Sequence, residues 1–182
     1  MFFSLWKDHM HSLRRVFLLL FICCFIFNNS SANDNNNDEE KLSSNPEKII
    51  LDAQFIKEGV LTFHDKTTSG IIIQIDIEIA DSPDKLSTGL MYRRSLPDSA
   101  GMLFVLKESK LSCFWMKNTY IPLDIIFADE NMEIITIQKN TTPLSEEPIP
   151  SKGYSMYVIE VKAGFCDKHR IKIGDFIKFS KT

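Results

Sequence analysis

The stretch that decides the fold is Ile71-Ile72-Ile73-Gln74-Ile75-Asp76-Ile77-Glu78-Ile79. Isoleucine occupies every second position, while Gln74, Asp76 and Glu78 stand between the later isoleucines. Successive side chains of a β-strand point to opposite faces, so this pattern places five β-branched side chains on one face and polar groups on the other. The stretch predicts a half-buried strand with one face on a hydrophobic core.

The rest of the chain has further segments of strand character and little helix. Turn residues at positions 129–131 separate two of these segments, so residues 123–138 are expected to form a hairpin. A first helix is expected after Asp81 or Ser82, with Pro83 at its first position and an end before Pro97, and a single helical turn at residues 164–169. The other predicted strands span residues 49–56, 60–64, 101–106, 112–117, 123–128, 133–138, 156–162 and 175–179.

This balance of elements predicts a mainly β domain. Many short strands with one or two short helices are typical of an antiparallel β-sandwich or a partly closed barrel. Residues 49–182 supply enough chain for one such domain with one core. Residues 33–48 hold almost no apolar side chains, so we predict a flexible, disordered polar tether there.

The N-terminal segment has the pattern of a secretory signal. Lys7, Arg14 and Arg15 precede an apolar run at residues 16–27, which is 12 residues long and shorter than the roughly 20 that span a bilayer. Ser30 and Ala32 are small residues placed for cleavage after Ala32. Residues 1–32 therefore predict a signal peptide and a periplasmic or secreted protein. The alternative is a retained membrane anchor formed by residues 16–27.

The charge of the predicted mature chain limits its partners. Removing three basic residues and one acidic residue with the signal leaves 18 Lys and Arg against 23 Asp and Glu, a net charge of −5. No cluster of basic residues interleaved with aromatics remains, so we expect no nucleic-acid partner and no attraction to anionic lipid. Contact with a membrane is expected only through an uncleaved signal segment, and the oligomeric state is left open. No glycine-rich nucleotide-binding loop is present, and we expect no cofactor.

A polar cluster lies between two apolar runs at residues 114–127. Lys117, Asn118, Thr119 and Asp124 offer a cation, an amide, a hydroxyl and a carboxylate, which can orient a polar ligand but form no recognised pair of nucleophile and base. Trp115 suits the edge of a pocket because its indole N–H needs a hydrogen-bond partner. The predicted ligand-binding residues are Arg93, Trp115, Lys117, Asn118, Thr119 and Asp124.

Structural roles compete with ligand binding at each of these positions. Trp115 can be a core residue, and Asn118 and Thr119 can fix a turn before Pro122. Asp124 is flanked by large apolar residues and therefore needs a partner, for which Lys117 or Arg93 could serve. The guanidinium of Arg93 could instead bind a carboxylate, sulfate or phosphate group of a ligand.

These residues favour an exported, non-catalytic domain that binds a small polar or carbohydrate-like ligand, or an envelope protein. The first alternative is an envelope hydrolase that uses Asp124 or Glu160. Glu160 lies in an apolar strand, where an internal salt bridge or backbone contact is the competing role. The second alternative is a structural accessory domain without a small-molecule site. Whether the protein is an enzyme stays open at this point.

Cysteines, histidines and methionines give weaker signals. Cys113 and Cys166 remain after signal removal, and a disulfide between them is expected in an oxidising compartment. We expect no metal site, because C-x-x-C is absent and only His64 and His169 remain. Copper(I) binding by methionine thioethers beside Trp115 is the competing hypothesis, although each methionine lies in an apolar run that it could fill as a core residue. These methionines are Met91, Met102 and Met116.

Several blocks together resemble a known family. Their order along the chain is Gly89-Leu90-Met91-Tyr92-Arg93, Leu96-Pro97, Gly101-Met102-Leu103-Phe104, the segment 114–127, Ile159-Glu160-Val161 with Ala163-Gly164, and Ile173-Gly174-Asp175. Over roughly residues 58–180 the chain resembles the bacterial and archaeal domain of unknown function 192. The resemblance implies a small, mainly β domain, often behind a signal peptide, and brings no established activity with it.

Overall fold

The computed structural model of this chain describes residues 54–182. The predicted signal peptide and tether, and residues 49–53 of the first predicted strand, lie outside the described residues. The elements, in chain order, are β1 (Gly59–His64), β2 (Ile71–Ala80), α1 (Pro83–Thr88), β3 (Ala100–Phe114), β4 (Leu123–Ala128), β5 (Ile134–Gln138), β6 (Ile149–Lys162), α2 (Phe165–His169) and β7 (Phe176–Lys181).

The seven strands form one sheet in the order β5-β4-β6-β3-β2-β1-β7. Strands β2 and β3 are parallel and are joined by a crossover that contains α1, while the other neighbouring pairs are antiparallel. The sheet curls so that its two edges meet near β5 and β7. There the N–H of Ile134 donates to the carbonyl of Asp175 (2.8 Å) and the N–H of Ile177 to that of Met132 (3.0 Å). The mainly β class is confirmed, in the form of a half-barrel.

The isoleucine-rich strand behaves largely as its sequence predicts. Ile75, Ile77 and Ile79 are at most 3% exposed and pack inside the half-barrel. Ile71, at the start of the strand, is 66% exposed. Glu78 is also buried, because the opposite face of β2 is covered towards its end. The predicted polar face is therefore solvated at one end only.

Three predicted strand boundaries are wrong. The segments 101–106 and 112–117 form the single strand β3, in which the register with β6 shifts between Val105 and Lys110. This bulge carries the polar residues between the two apolar segments, so polarity here marks exposure and not the end of a strand. Strand β6 begins at Ile149, seven residues before its predicted start. Residues 54–58 are not in a strand.

Both helices occur where the sequence predicts them. The hydroxyl of Ser82 accepts a hydrogen bond from the N–H of Lys85 (3.4 Å), and Pro83 opens α1. Gly89 ends this helix with φ of 48°, a conformation that favours glycine. No helix within residues 54–182 is long and apolar enough to cross a membrane.

Two apolar clusters lie on opposite sides of the curled sheet. The first fills the inside of the half-barrel and includes Phe63, Leu103 and Ile159. The second covers the outer face and includes Leu90, Phe104 and Met116. The crossover after β2 and the segment after β3 pack on this outer cluster, which places them beside each other. The candidate site lies where they meet.

Candidate functional site

A pocket opens on the outer face of the sheet, between the end of α1 and the start of the segment that follows β3. Its volume is about 40 Å³, well below the roughly 300 to 1,000 Å³ found for sites of drug-sized ligands, so the cavity has room only for a very small group. The lining residues are Leu86, Ser87, Thr88, Gly89, Leu90, Met91, Phe104, Phe114, Trp115, Thr119 and Glu160.

The carboxyl group of Glu160 is the most unusual group in this pocket. Glu160 lies on β6 between Met102 of β3 and Ile125 of β4, and it is 5% exposed. Within the described residues its side chain forms no hydrogen bond or ion pair, so the predicted internal salt bridge or backbone contact is wrong. Burial raises the pKa of Glu160 from 4.5 to about 8, so this carboxyl group is mostly neutral at pH 7.

Gly89 leaves the space in front of this carboxyl group open. A Cβ atom at Gly89 would lie 2.9 Å from Cζ of Phe104 and 3.8 Å from Oε2 of Glu160. Any side chain here would therefore push into the phenyl ring and fill the pocket next to the acid. The positive φ of Gly89 adds a backbone reason for glycine at this position.

Two ion pairs hold the wall formed by residues 86–91. Lys85 directly precedes the wall in the sequence, and its Nζ lies 2.5 Å from Oε1 of Glu58. After the wall, Nη2 of Arg93 lies 2.7 Å from Oε2 of Glu78, an ion pair without the alignment of a hydrogen bond. The Arg93 and Glu78 side chains are 13% and 7% exposed, so the second pair is largely desolvated. Arg93 therefore positions the wall, and its guanidinium is occupied by Glu78.

Trp115 forms the rim of the pocket and is 37% exposed, so the alternative of a core tryptophan is wrong. The ammonium group of Lys117 lies 5.1 Å from the centroid of the Trp115 ring and 3.9 Å from a carboxylate oxygen of Glu146. This is a cation–π contact on the outside of the pocket. Lys117 therefore supports the tryptophan and does not line the cavity.

Asn118 and Thr119 build the turn that their sequence predicts. Asn118 has φ of 55°, its carbonyl accepts from the N–H of Tyr92 (2.7 Å), and its amide donates to the hydroxyl of Tyr92 (2.8 Å). These bonds tie the segment after β3 to the crossover wall. The Thr119 hydroxyl donates to the carbonyl of Lys117 (3.3 Å), while the residue also lines the pocket.

Asp124 lies away from the pocket. It is fully buried, and its two oxygens accept hydrogen bonds from the backbone N–H groups of Asn140 (3.0 Å) and Cys166 (2.9 Å). The prediction that Asp124 has a partner is confirmed, but the suggested partners Lys117 and Arg93 are wrong. Backbone amides satisfy the carboxylate instead, and one of them belongs to the first turn of α2.

The register of the sheet separates Asp124 from Glu160. Asp124 pairs with Val161, and Ile125 pairs with Glu160. Because paired residues on adjacent strands share a face and successive residues alternate, the two carboxyl groups point to opposite faces of the sheet. They cannot act together on one substrate, so a hydrolase that uses both as an acid pair is excluded by geometry.

Cys113 and Cys166 are not bonded to each other. The N–H of Cys166 donates to Asp124. Asp124 pairs with Val161 of β6, and Val161 pairs in turn with Gly101 at the start of β3. Cys113 lies 12 residues further along the same strand, where it pairs with Pro150. The predicted disulfide is wrong because the long strand β3 places the two residues near its opposite ends.

The three methionines of the copper hypothesis occupy the outer apolar cluster or its border. The hydroxyl of Thr141 donates to the sulfur of Met116 (3.1 Å), and the amide of Asn118 lies 4.0 Å from the sulfur of Met91. Met102 is buried beside Glu160 in the sheet. Among residues 54–182, no group of three or more His, Cys, Asp or Glu side chains could hold a metal ion.

The structure thus brings together only part of the predicted site. Trp115 and Thr119 line the pocket, while Arg93, Lys117 and Asn118 hold its walls or rim and Asp124 belongs to the other face. Glu160 is absent from the predicted binding residues, and the phenylalanines of the lining have no predicted role. A lone acidic residue in an otherwise apolar strand was the available signal for Glu160.

The chain is similar to known proteins over this same region. The model of domain of unknown function 192 (DUF192), described as "Uncharacterized ACR", matches residues 64–179. A protein of unknown function from Novosphingobium aromaticivorans DSM 12444 is 34% identical, with a TM-score of 0.62, over 65% of this chain and 83% of that one. A putative transcription regulator from Sinorhizobium meliloti 1021 is also 34% identical, with a TM-score of 0.63, over 69% of this chain and 95% of that one. Curated proteins give no match. With more than half of its length matched by the family model, the chain belongs to the DUF192 family.

Proposed function

We propose that this domain is a binding module for a small polar ligand, which enters the outer pocket and contacts the carboxyl group of Glu160. The observation that carries the proposal is an acid, 5% exposed and with no partner among the described residues, that faces a small cavity of about 40 Å³. Among the described residues, Glu78 Oε2 is the only fully buried side-chain oxygen or nitrogen without a hydrogen bond, so the oxygens of Glu160 are accessible from the pocket. A ligand that enters the pocket can therefore exchange a hydrogen bond with this carboxyl group.

The remaining lining supports a ligand of limited size with both apolar and polar parts. Phe104, Phe114 and Trp115 supply aromatic surface, and the ring centroids of the two phenylalanines lie 5.1 Å apart in an edge-to-face arrangement. Thr119 brings a hydroxyl group to the lining. Convergent polar groups within an apolar cavity are typical of small-molecule sites.

Binding is better supported than hydrolysis by this geometry. Glu160 is the only carboxyl group among the residues that line the described pocket, and the lining includes no histidine, cysteine or lysine. General-acid chemistry by Glu160 would need a second group to activate water or attack the substrate. An enzymatic role through Glu160 alone is therefore the weaker candidate.

We expect Trp115→Ala to weaken ligand binding by about fivefold or more, because aromatic anchors of binding sites commonly contribute over 1 kcal/mol. Signal cleavage would leave Trp115 as the single tryptophan, so its fluorescence reports on the pocket. Titration of the protein with neutral polyols and small amines, followed by fluorescence and by NMR shifts of residues 86–91, tests the proposal.

Tyr154→Ala is a matched control for this experiment, because Tyr154 is an aromatic residue, 65% exposed, that does not line the pocket. The Tyr154→Ala variant should bind any ligand with the same affinity as the unmodified protein. If no polyol and no amine perturbs Trp115 or residues 86–91, the binding function is refuted.

We also propose that the domain works outside the cytoplasm, after cleavage near Ala32. The basic residues before the apolar run of residues 16–27 and the small residues that follow it support export. Cell fractionation followed by N-terminal sequencing should place the protein in the periplasm or medium with Asn33 as its first residue. Cytosolic protein that retains Met1 would contradict the export proposal.

A further inference from the structure

Residues 55–58, which we name the strap, lie beside β2 just before the start of β1. The N–H of Glu58 donates to the carbonyl of Ile77 in β2 (2.8 Å). The side chain of Phe55 packs on the outer apolar cluster, and other members of that cluster line the pocket. The strap therefore reaches the face of the sheet on which the pocket opens, close to the wall formed by residues 86–91.

The carboxylate of Glu58 joins the strap to Lys85, the residue directly before the wall. Its Oε2 atom accepts a hydrogen bond from the N–H of Ile79 (2.7 Å), and its Oε1 atom accepts one from Nζ of Lys85 (2.5 Å). The same Nζ also donates to the carbonyl of Ile79 (3.2 Å). Because Glu58 and Lys85 bond to each other and to one residue of β2, the strap and the start of the wall are held at the same point.

The carboxylate of Glu78 joins the strap to Arg93, which follows the wall. Its Oε1 atom accepts a hydrogen bond from the N–H of Ile56 (2.7 Å), while its Oε2 atom lies 2.7 Å from Nη2 of Arg93. Both side chains of this ion pair are largely buried, so removal of either partner would leave a desolvated charge. Each end of the wall is thus tied to the strap through one carboxylate.

The wall has little support of its own. Helix α1, whose last turn begins the wall, has six residues, and none of them is buried. Helices this short are unstable in water without packing. Within residues 86–91 only Leu90 is buried. Segments with few buried contacts open locally at a small cost in free energy, so the ties to the strap determine how often the wall opens.

We propose that the strap holds the wall closed and that displacement of the strap opens the pocket to a ligand larger than the cavity of about 40 Å³. This inference rests on the proposed binding function and describes how the same site is regulated. The predicted tether of residues 33–48 precedes the strap in the chain, so a partner that pulls on the tether would draw the strap away from the wall. A ligand that needs the open pocket binds in proportion to the open population, so its affinity follows the position of the strap.

Glu58→Gln in the full chain tests the strap without any ligand. Glutamine has nearly the shape of glutamate but no charge, so the variant gives up the ion pair with Lys85. The amides of Gly89 and Met91 report on the wall, because both donate hydrogen bonds within the crossover (2.9 and 3.0 Å). We expect their hydrogen exchange to become about fivefold faster in the variant, since exchange measures the open population.

Ligand binding should change by the same factor. Sorbitol is much larger than the closed cavity, so it can bind only the open pocket, and its affinity for Glu58→Gln should rise by the factor that exchange measures. Titration followed by Trp115 fluorescence gives this affinity. Asp98→Asn is the matched control, because Asp98 also lies 2.7 Å from a lysine, but that lysine is Lys162 of β6. It should change neither the exchange of the wall nor the affinity for sorbitol.

The outcomes separate this inference from the binding function beneath it. Unchanged exchange in the wall of Glu58→Gln overturns the strap, and so does exchange that rises equally in β4, which would mean that the whole domain opens. Faster exchange in the wall with an unchanged affinity for sorbitol overturns the regulation and leaves the pocket a binding site. If no polyol and no amine perturbs Trp115 in either protein, the binding function is refuted and the inference falls with it.

Discussion

Glu160→Gln should remove most of a pH-dependent loss of stability. Between pH 4.5 and pH 8 the free energy of unfolding of the unmodified protein should fall by on the order of 4 kcal/mol more than that of the variant. In the folded protein, burial raises the pKa of Glu160 to about 8, from 4.5. Between these two values the folded state keeps a proton that the unfolded chain has released. The unmodified protein therefore loses stability as pH rises from about 4.5 to about 8 and changes no further above that range. Glutamine cannot ionise, so the variant escapes this loss.

Chemical denaturation of both proteins across pH 4.5 to 9 measures the effect, and any constant cost of the amide cancels in the comparison between pH values. Hydrogen bonds from Lys181 and Lys162 lower the pKa values of Asp81 and Asp98. Their stabilisation is lost only as pH falls below about 4, which is outside this window. Parallel pH profiles for the two proteins would mean that Glu160 ionises normally and that water fills the pocket.

Asp124→Ala should lower the free energy of unfolding by about 3 to 5 kcal/mol, since each of two hydrogen bonds to a charged acceptor contributes about 1.5 to 3 kcal/mol. The substitution leaves the N–H groups of Asn140 and Cys166 without their acceptor, and the second of these is buried. It also removes a negative charge from the N-terminal turn of α2. Urea denaturation at pH 7 measures the loss.

Asp167→Ala is the matched control for Asp124→Ala, because it removes a carboxylate from α2, the helix whose Cys166 N–H Asp124 accepts. Its side chain is 65% exposed and pairs with Lys139, so its loss should cost less than about 1 kcal/mol. A loss below about 0.5 kcal/mol for Asp124→Ala would show that water reaches this carboxylate and that α2 does not depend on it.

The fold could be predicted wherever side-chain alternation or capping chemistry dominated. The isoleucine repeat located β2, the segment 123–128 coincides with β4, and Ser82 with Pro83 located α1. The hairpin of β4 and β5 also followed from its turn residues. These features depend on interactions between residues close in sequence, which a single sequence displays directly.

The errors arise where long-range packing decides. Residues 107–110 resemble a loop, yet β6 supplies hydrogen-bond partners on either side of the bulge and the strand continues. Pro150 and Gly153 resemble turn residues, but the start of β6 pairs with the end of β3. Strand pairing across dozens of residues can override local preference.

The candidate site was only partly predictable for the same reason. Trp115 and Thr119 stood out as polar or amphipathic residues beside an apolar run, and both line the pocket. Glu160 became a pocket residue because the crossover turn at Gly89 leaves space in front of it. Asp124 was equally conspicuous in the sequence, but its side chain lies on the other face of the sheet. A shift of one residue in strand register moves a side chain from one face to the other, and a single sequence does not show the register.

The pairing of β1 with β7 has a consequence for how the chain folds during its synthesis. Gly59 pairs with Lys181 and His64 with Phe176, separations of 122 and 112 residues. Contacts so distant in sequence slow folding, and the edges of the sheet cannot meet before β7 has been made. A nascent chain of this topology therefore stays unfolded for longer than one built from local hairpins. Such a delay would keep the chain unfolded during the export proposed above.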